Sequence, residues 1–200
     1  MPTTLTAPPP AALPIDPPRK RWTRAQCEEL EKAGLLEQER LELVDGELID
    51  MSKNRPHVNA QVFLFIWLAE IFGMKFVNQE APIDVAPKDH LNNEPVPDLI
   101  VLKQPTHQLT SGNPQPADLR LVIEVSHSTL HFDLTKKAAL YARAGIEDYW
   151  VLDVTGRRMF VPPRTPEWPI PIRYRVCRGR ERRAFGGPPS AVPDPFRFSA

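Results

Sequence analysis

The chain is expected to fold as a single α/β or α+β domain, a mixed sheet flanked by helices. Three observations point there. "VPDLIVL" and "RLVIEVS" are short apolar runs of strand length, and "DYWVLDV" follows as a third. "HVNAQVFLFIWLAEIFG" and "FDLTKKAALYARAG" have helical length and end on glycine. Strands mixed with two or three helices in one chain mean α/β or α+β. The 200 residues, 42% of them hydrophobic, suit one domain with tails and a core that needs no staples.

The elements follow in order. Residues 1–20, with "TAPPPAALPIDPP", read as a proline-rich, disordered or extended arm. In "TRAQCEELEKAG", Thr23 and Gln26 form a capping-box pattern and Gly34 suits the C′ position, so a helix is expected. "RLELVDGELIDM" is a hairpin signal, with Asp45-Gly46 as a type I′ turn. The next helix ends at Gly73, with Val58, Val62, Phe65, Ile66, Ala69 and Phe72 as its apolar stripe. Strands are expected over 75–79, 82–86, 98–102 and 120–126, with a polar loop over 103–118. A helix stopped by Gly145 comes next. Then "DYWVLDV" and "RRMFVPP" read as strand, turn and strand, and "IRYRVC" extends the sheet. "GGPPSAVPDPF" is loop or tail. The domain is placed at residues 21–185, with a tail over 186–200 and no internal repeat.

Net charge is zero but unevenly spread. Gln26 to Asp50 holds nine acids and two bases, and Gly156 to Gly187 holds nine arginines and two glutamates. The basic stretch suits either phosphate contact or a solvated surface. Cys27 and Cys177 match no zinc or disulfide pattern, and no secretory leader is visible, so a reduced, cytoplasmic setting is expected. The longest apolar run, "VFLFIWLAEIFG", is too short to span a membrane and contains Glu70.

The chemistry centres on Glu124 within "RLVIEVSHST". Strand alternation puts Leu121, Ile123 and Val125 on one face and Val122, Glu124 and Ser126 on the other. A lone carboxylate among apolar neighbours is costly unless paired, protonated or bound to a metal. Asp98 opens the preceding strand after Pro97. If the two strands are neighbours, both carboxylates reach one edge; otherwise Asp98 merely caps a turn. Hard divalent ions take oxygen ligands, and Mg²⁺ commonly takes one or two carboxylates plus waters. At about 100° per residue from Asp133, the residues Leu134, Ala138, Tyr141 and Gly145 form the core side of the following helix. Lys137 falls on the border of that face and Lys136 opposite it. Lys137 is then either an amine reaching the carboxylates or half of a surface pair with Asp133.

These residues also carry a resemblance. "PDLIVL…LVIEVSHSTLHFDLTKKAALYARAGIEDYWVLD" resembles the PD-(D/E)XK nuclease superfamily, and more narrowly the Uma-two family of bacterial restriction-endonuclease-like proteins. The matching positions are Leu41–Met51, His57, Pro97-Asp98, Glu124-Val125, Asp133, Lys137, Tyr141 and Tyr149-Trp150, within about residues 22–155. The superfamily motif has lysine two positions after the second acid, where this chain has Ser126; the resembling family takes its lysine from the next helix, where Lys137 stands. The resemblance implies a restriction endonuclease-like fold and a Mg²⁺- or Mn²⁺-dependent endonuclease cutting DNA. Asp98, Glu124 and the Val125 carbonyl would hold the ion, Lys137 would position the water, and Glu42 would complete the metal shell. His57 is an accessory candidate, Tyr141 and Trp150 are assigned to the core, and Asp153 to a strand end. Cutting both strands of a duplex would call for a homodimer. The competing readings are a catalytically silent nuclease-like fold that binds nucleic acid or dimerises, and an enzyme of another phosphoester. A serine hydrolase built on "EVSHST" is disfavoured because no GxSxG elbow is present.

Overall fold

The computed structural model describes residues 19–36, 38–161 and 175–178. The expected arm up to residue 18 and the tail over 186–200 lie outside the described residues. The first helix, α1 (Arg24–Lys32), opens with the expected capping box: the Gln26 N–H donates to Thr23 Oγ1, and the Thr23 N–H donates to Gln26 Oε1. Strands β1 (Leu41–Val44) and β2 (Glu47–Asp50) form the hairpin. Asp45 and Gly46 turn it at φ 48° and 76°, the pair of positive values that a type I′ turn requires.

Helix α2 (Arg55–Phe72) is capped by the Asn54 side chain, which accepts from the His57 N–H. Six strands then form the main sheet: β3 (Val77–Gln79), β4 (Leu99–Leu102), β5 (Leu119–Ser126), β6 (Tyr149–Asp153), β7 (Arg158–Val161) and β8 (Arg175–Arg178). Their spatial order is their chain order. All pairs are antiparallel except β5 with β6, which is parallel and needs a crossover. That crossover is helical, in three pieces: α3 (Leu130–Phe132), a π-helical turn (Asp133–Lys137) and α4 (Ala138–Arg143).

The sheet's two faces feed two cores. Leu99, Val101, Leu121, Ile123 and Val125 join Ala60, Leu64 and Leu68 of α2 on one side. Ile100, Leu102, Val122 and Val151 join Ala138 and Tyr141 of α4, with Ile83, on the other. Glu124 and Ser126 share the Val122 face, as alternation predicts, and so lie under the crossover helix. Val44, Val85 and Leu140 form a third cluster that seats the hairpin beside α4. Trp150 packs on the Trp67 ring at 6.3 Å between centroids, in keeping with its core assignment.

Several expectations are corrected. Residues 82–86 form no strand. The Ile83 N–H donates to Pro95 O and the Asp84 N–H to Pro114 O, so the segment bonds two unrelated loops and runs along no ladder. Residues 74–76 form a 3₁₀ turn, closed by the Phe76 N–H on Gly73 O, and β3 starts only at Val77. The buried side of α2 is Ala60, Gln61, Leu64 and Leu68; the expected stripe residues Val58, Val62 and Ile66 are exposed. This helix is apolar on most of its circumference, so its own pattern cannot choose the inward side, and the choice falls to the packing against β4 and β5. Gly145, placed on the core side of its helix, is exposed and ends that helix at φ 77°.

Candidate active site

Glu124 is 3% exposed and sits mid-strand on β5. Its Oε1 accepts from Lys137 Nζ at 3.0 Å and from the Tyr141 hydroxyl at 2.8 Å. Lys137 Nζ also lies 2.8 Å from Glu42 Oε1, so one amine bridges the hairpin acid and the strand acid. The other Glu42 oxygen accepts from the Val96 N–H at 3.0 Å.

The π-helical turn explains how Lys137 arrives there. The Ala138 N–H reaches back to Asp133 O, one residue further than an α-turn allows. The widened turn carries Lys137 from the border of the core face fully inside, at 4% exposure, while Asp133 stays buried with it. Asp133 accepts from Ser126 Oγ, and from Thr129 Oγ1 at 2.7 Å. Ser126, at the position of the superfamily's lysine, therefore anchors the crossover helix.

Asp98 immediately precedes β4. The ladder with β5 ends at Leu99 opposite Ile123, and beyond it Asp98 Oδ2 accepts the Val125 N–H at 2.7 Å. The N–H and C=O of one strand residue point to the same side, so the Val125 carbonyl faces the same gap. Asp98 Oδ1 lies 2.9 Å from His57 Nε2 and 2.5 Å from Lys53 Nζ. Glu42, Lys53, His57, Asp98, Glu124, Asp133 and Lys137 all line one cleft.

Four carboxylates (Glu42, Asp98, Glu124 and Asp133) thus face two nearly buried ammonium groups. The electrostatics follow from that imbalance. Burial drives the Glu124 carboxyl well above the ordinary glutamate range; the Lys137 charge opposes the rise, and Asp133, Asp98 and Glu42 add to it. Burial would lower Lys137, but Glu124 and Glu42 outweigh it and hold the amine protonated. Burial would raise Asp98, but the His57 hydrogen bond and the Lys53 charge hold it below the ordinary aspartate range.

Sequence reasoning missed two residues. Lys53 lies in the coil between β2 and α2, where no periodicity marks it, and its partner Asp98 is 45 residues away. Tyr141 was assigned to the core; it is fully buried there, yet its hydroxyl also serves Glu124. Only the rule that a buried tyrosine hydroxyl needs a partner could have raised it. Asp153 ends β6 as expected, and holds the Gly156 N–H and Arg158 away from the cleft.

Among the described residues no three His, Cys, Asp or Glu side chains gather as a metal shell on their own. Glu42, expected in such a shell, holds Lys137 and the Val96 N–H and lines the same cleft. The donor set left at the β4–β5 edge is two carboxylates and a carbonyl. It suits a hard divalent ion that keeps several waters.

A family model described as "Putative restriction endonuclease", Uma2, matches residues 25–168. The chain belongs to the Uma2 family. Among solved structures it is similar to a protein described as a putative nuclease belonging to DUF820 from Anabaena variabilis, at 15% identity and a TM-score of 0.51, over 70% of this chain and 76% of that one. At that identity the likeness concerns the fold. No curated protein matches the chain.

Proposed function

We propose that the protein is a Mg²⁺- or Mn²⁺-dependent endonuclease that hydrolyses DNA phosphodiester bonds. The family description and the nuclease-like fold support nuclease chemistry. One observation carries the site assignment: the Lys137 amine, pinned between Glu42 and Glu124, lines the same cleft as Asp98 and Val125.

In this reading Asp98, Glu124 and the Val125 carbonyl are the ligands. The ion would polarise a phosphate oxygen and acidify a bound water. Lys137 orients the attacking water and offsets negative charge growing on the phosphorus centre. Glu42 aims Lys137 by holding its ammonium from the hairpin side. Tyr141 holds the Glu124 carboxylate in one rotamer by donating to Oε1. His57, within reach of Asp98, is a positioning residue. Residues 21–185 are proposed as the catalytic domain, acting as a homodimer where both strands are cut.

The test is cleavage of plasmid, linear, single-stranded and branched DNA with and without Mg²⁺ or Mn²⁺. Cleavage by the purified protein that needs the metal, and is abolished in Glu124→Ala and Lys137→Ala, is the expected result. Both variants retaining full activity overturns the assignment.

A further inference from the structure

Lys53 lines the cleft, and the proposed chemistry leaves it unused. Its ammonium has three partners: Asp98 Oδ1 at 2.5 Å, Gln61 Oε1 at 3.0 Å and Glu80 Oε1 at 3.0 Å. Its side chain is 6% exposed, so the charge is largely out of water. A lysine so placed is costly unless it is paired.

The partners are not alike. Asp98 belongs to the proposed metal edge. Gln61 is on the buried side of α2, and Glu80 follows β3, with its side chain 31% exposed. Glu80 is also paired with Arg40 and accepts from Gln61 Nε2 at 3.1 Å. Gln61 Nε2 reaches the Asp98 carbonyl at 3.2 Å as well, tying this side of α2 to the start of β4. Lys53 therefore has one acceptor inside the site and two outside it.

Asp98 is correspondingly crowded. Oδ1 faces both Lys53 and His57, and Oδ2 holds the Val125 N–H. A divalent ion arriving at this carboxylate would meet a positive charge already seated on it. Like charges a few ångströms apart repel strongly in a site this dry.

We infer that Lys53 is a resident counter-cation that occupies Asp98 until a divalent ion displaces it, Gln61 and Glu80 retaining the released ammonium. The inference rests on the proposed metal site and adds to it a competitor built into the chain. The exchange moves one amine between acceptors it already touches, so no charge is stranded in transit. Lys53 is thus a positioning residue whose effect is on metal affinity and on the stability of the metal-free protein.

The experiment measures Mn²⁺ binding to the intact chain by calorimetry, together with thermal unfolding in EDTA. Lys53→Met should bind Mn²⁺ about tenfold more tightly than the wild type, and should melt at a lower temperature in EDTA, with Mn²⁺ restoring more of its stability than it adds to the wild type. Lys53→Arg keeps the charge and should bind Mn²⁺ as the wild type does. If Lys53→Met does not fold, Lys53→Gln, which keeps an amide donor, is measured instead. Unchanged or weaker Mn²⁺ binding in a folded, charge-free variant overturns the inference while leaving the metal site standing. Absence of Asp98-dependent Mn²⁺ binding in the wild type removes the metal site itself, and this inference with it.

Discussion

Two polar clusters in this molecule have opposite electrostatic outcomes. Near α1, Arg24 holds Asp84 at 2.7 Å and Glu94 at 2.6 Å, and the side chains of Gln115 and Asn113 donate to the same two acids. Burial would raise the Asp84 carboxyl, but the hydrogen bonds from Arg24 and Gln115 hold it below the ordinary aspartate range. In the cleft, Glu124 also has a cation and a neutral donor, yet its carboxyl is driven well upward. The difference lies in burial and in company. The Asp84 side chain is 13% exposed, whereas that of Glu124 is 4% exposed and shares Lys137 with Glu42 beside Asp98 and Asp133. The first cluster is complete as a structural tie between α1 and the loops. The second gathers four acids around two ammonium groups and titrates abnormally, as functional sites do.

Lys137→Met breaks the contrast most severely. It leaves Glu42 and Glu124 buried without their shared cation, and should destabilise the protein by about 3 kcal/mol or more in urea unfolding. A loss under about 1 kcal/mol would mean the amine balances little.

Glu124→Gln sharpens it through pH. A carboxyl raised in the native state binds its proton more tightly when folded, so native stability falls as pH climbs above the ordinary value of 4.5. Glutamine cannot ionise. In EDTA the variant should therefore gain on the wild type as the pH rises above the ordinary carboxyl value of 4.5. Asp84→Asn has the opposite sign. A lowered carboxyl stabilises the fold above its ordinary value of 3.8, so the wild type's advantage should be present at neutral pH and vanish on acidification. Parallel pH profiles for the two variants would erase the distinction between the clusters.

The smaller effects concern single donors. Tyr141→Phe removes the hydroxyl on Glu124 and should cost about 1.5 kcal/mol in urea unfolding, with no cavity to confuse the reading. Asp84→Asn at neutral pH should cost about 1 kcal/mol, a neutral amide oxygen replacing the carboxylate as acceptor from Arg24. If the Asp84 variant proves the costlier of the two, the Arg24 cluster is the stronger tie.

Much of this is legible in the sequence. The alternation of "LRLVIEVS" put Glu124 on the Val122 face, and the Asp45-Gly46 dipeptide announced its hairpin. The inward side of α2 was not legible, because Val58, Val62 and Ile66 are as apolar as Leu64 and Leu68, and the true side contains Gln61. Lys53 was silent for a related reason. It stands in coil, and its partners come from α2, from the end of β3 and from the start of β4.

The sequence by itself determined the strand and helix identities around the cleft, which acids lie on which strand face, and the family, because backbone period and motif spacing are written into neighbouring residues. The tertiary structure alone decided that Lys137 is drawn fully inside by a widened turn, that Glu42 from a distant hairpin shares it, and that Lys53 sits on Asp98. Those outcomes depend on strand adjacency, register and the charge each group meets once buried, and such quantities exist only when remote segments of the chain are brought together.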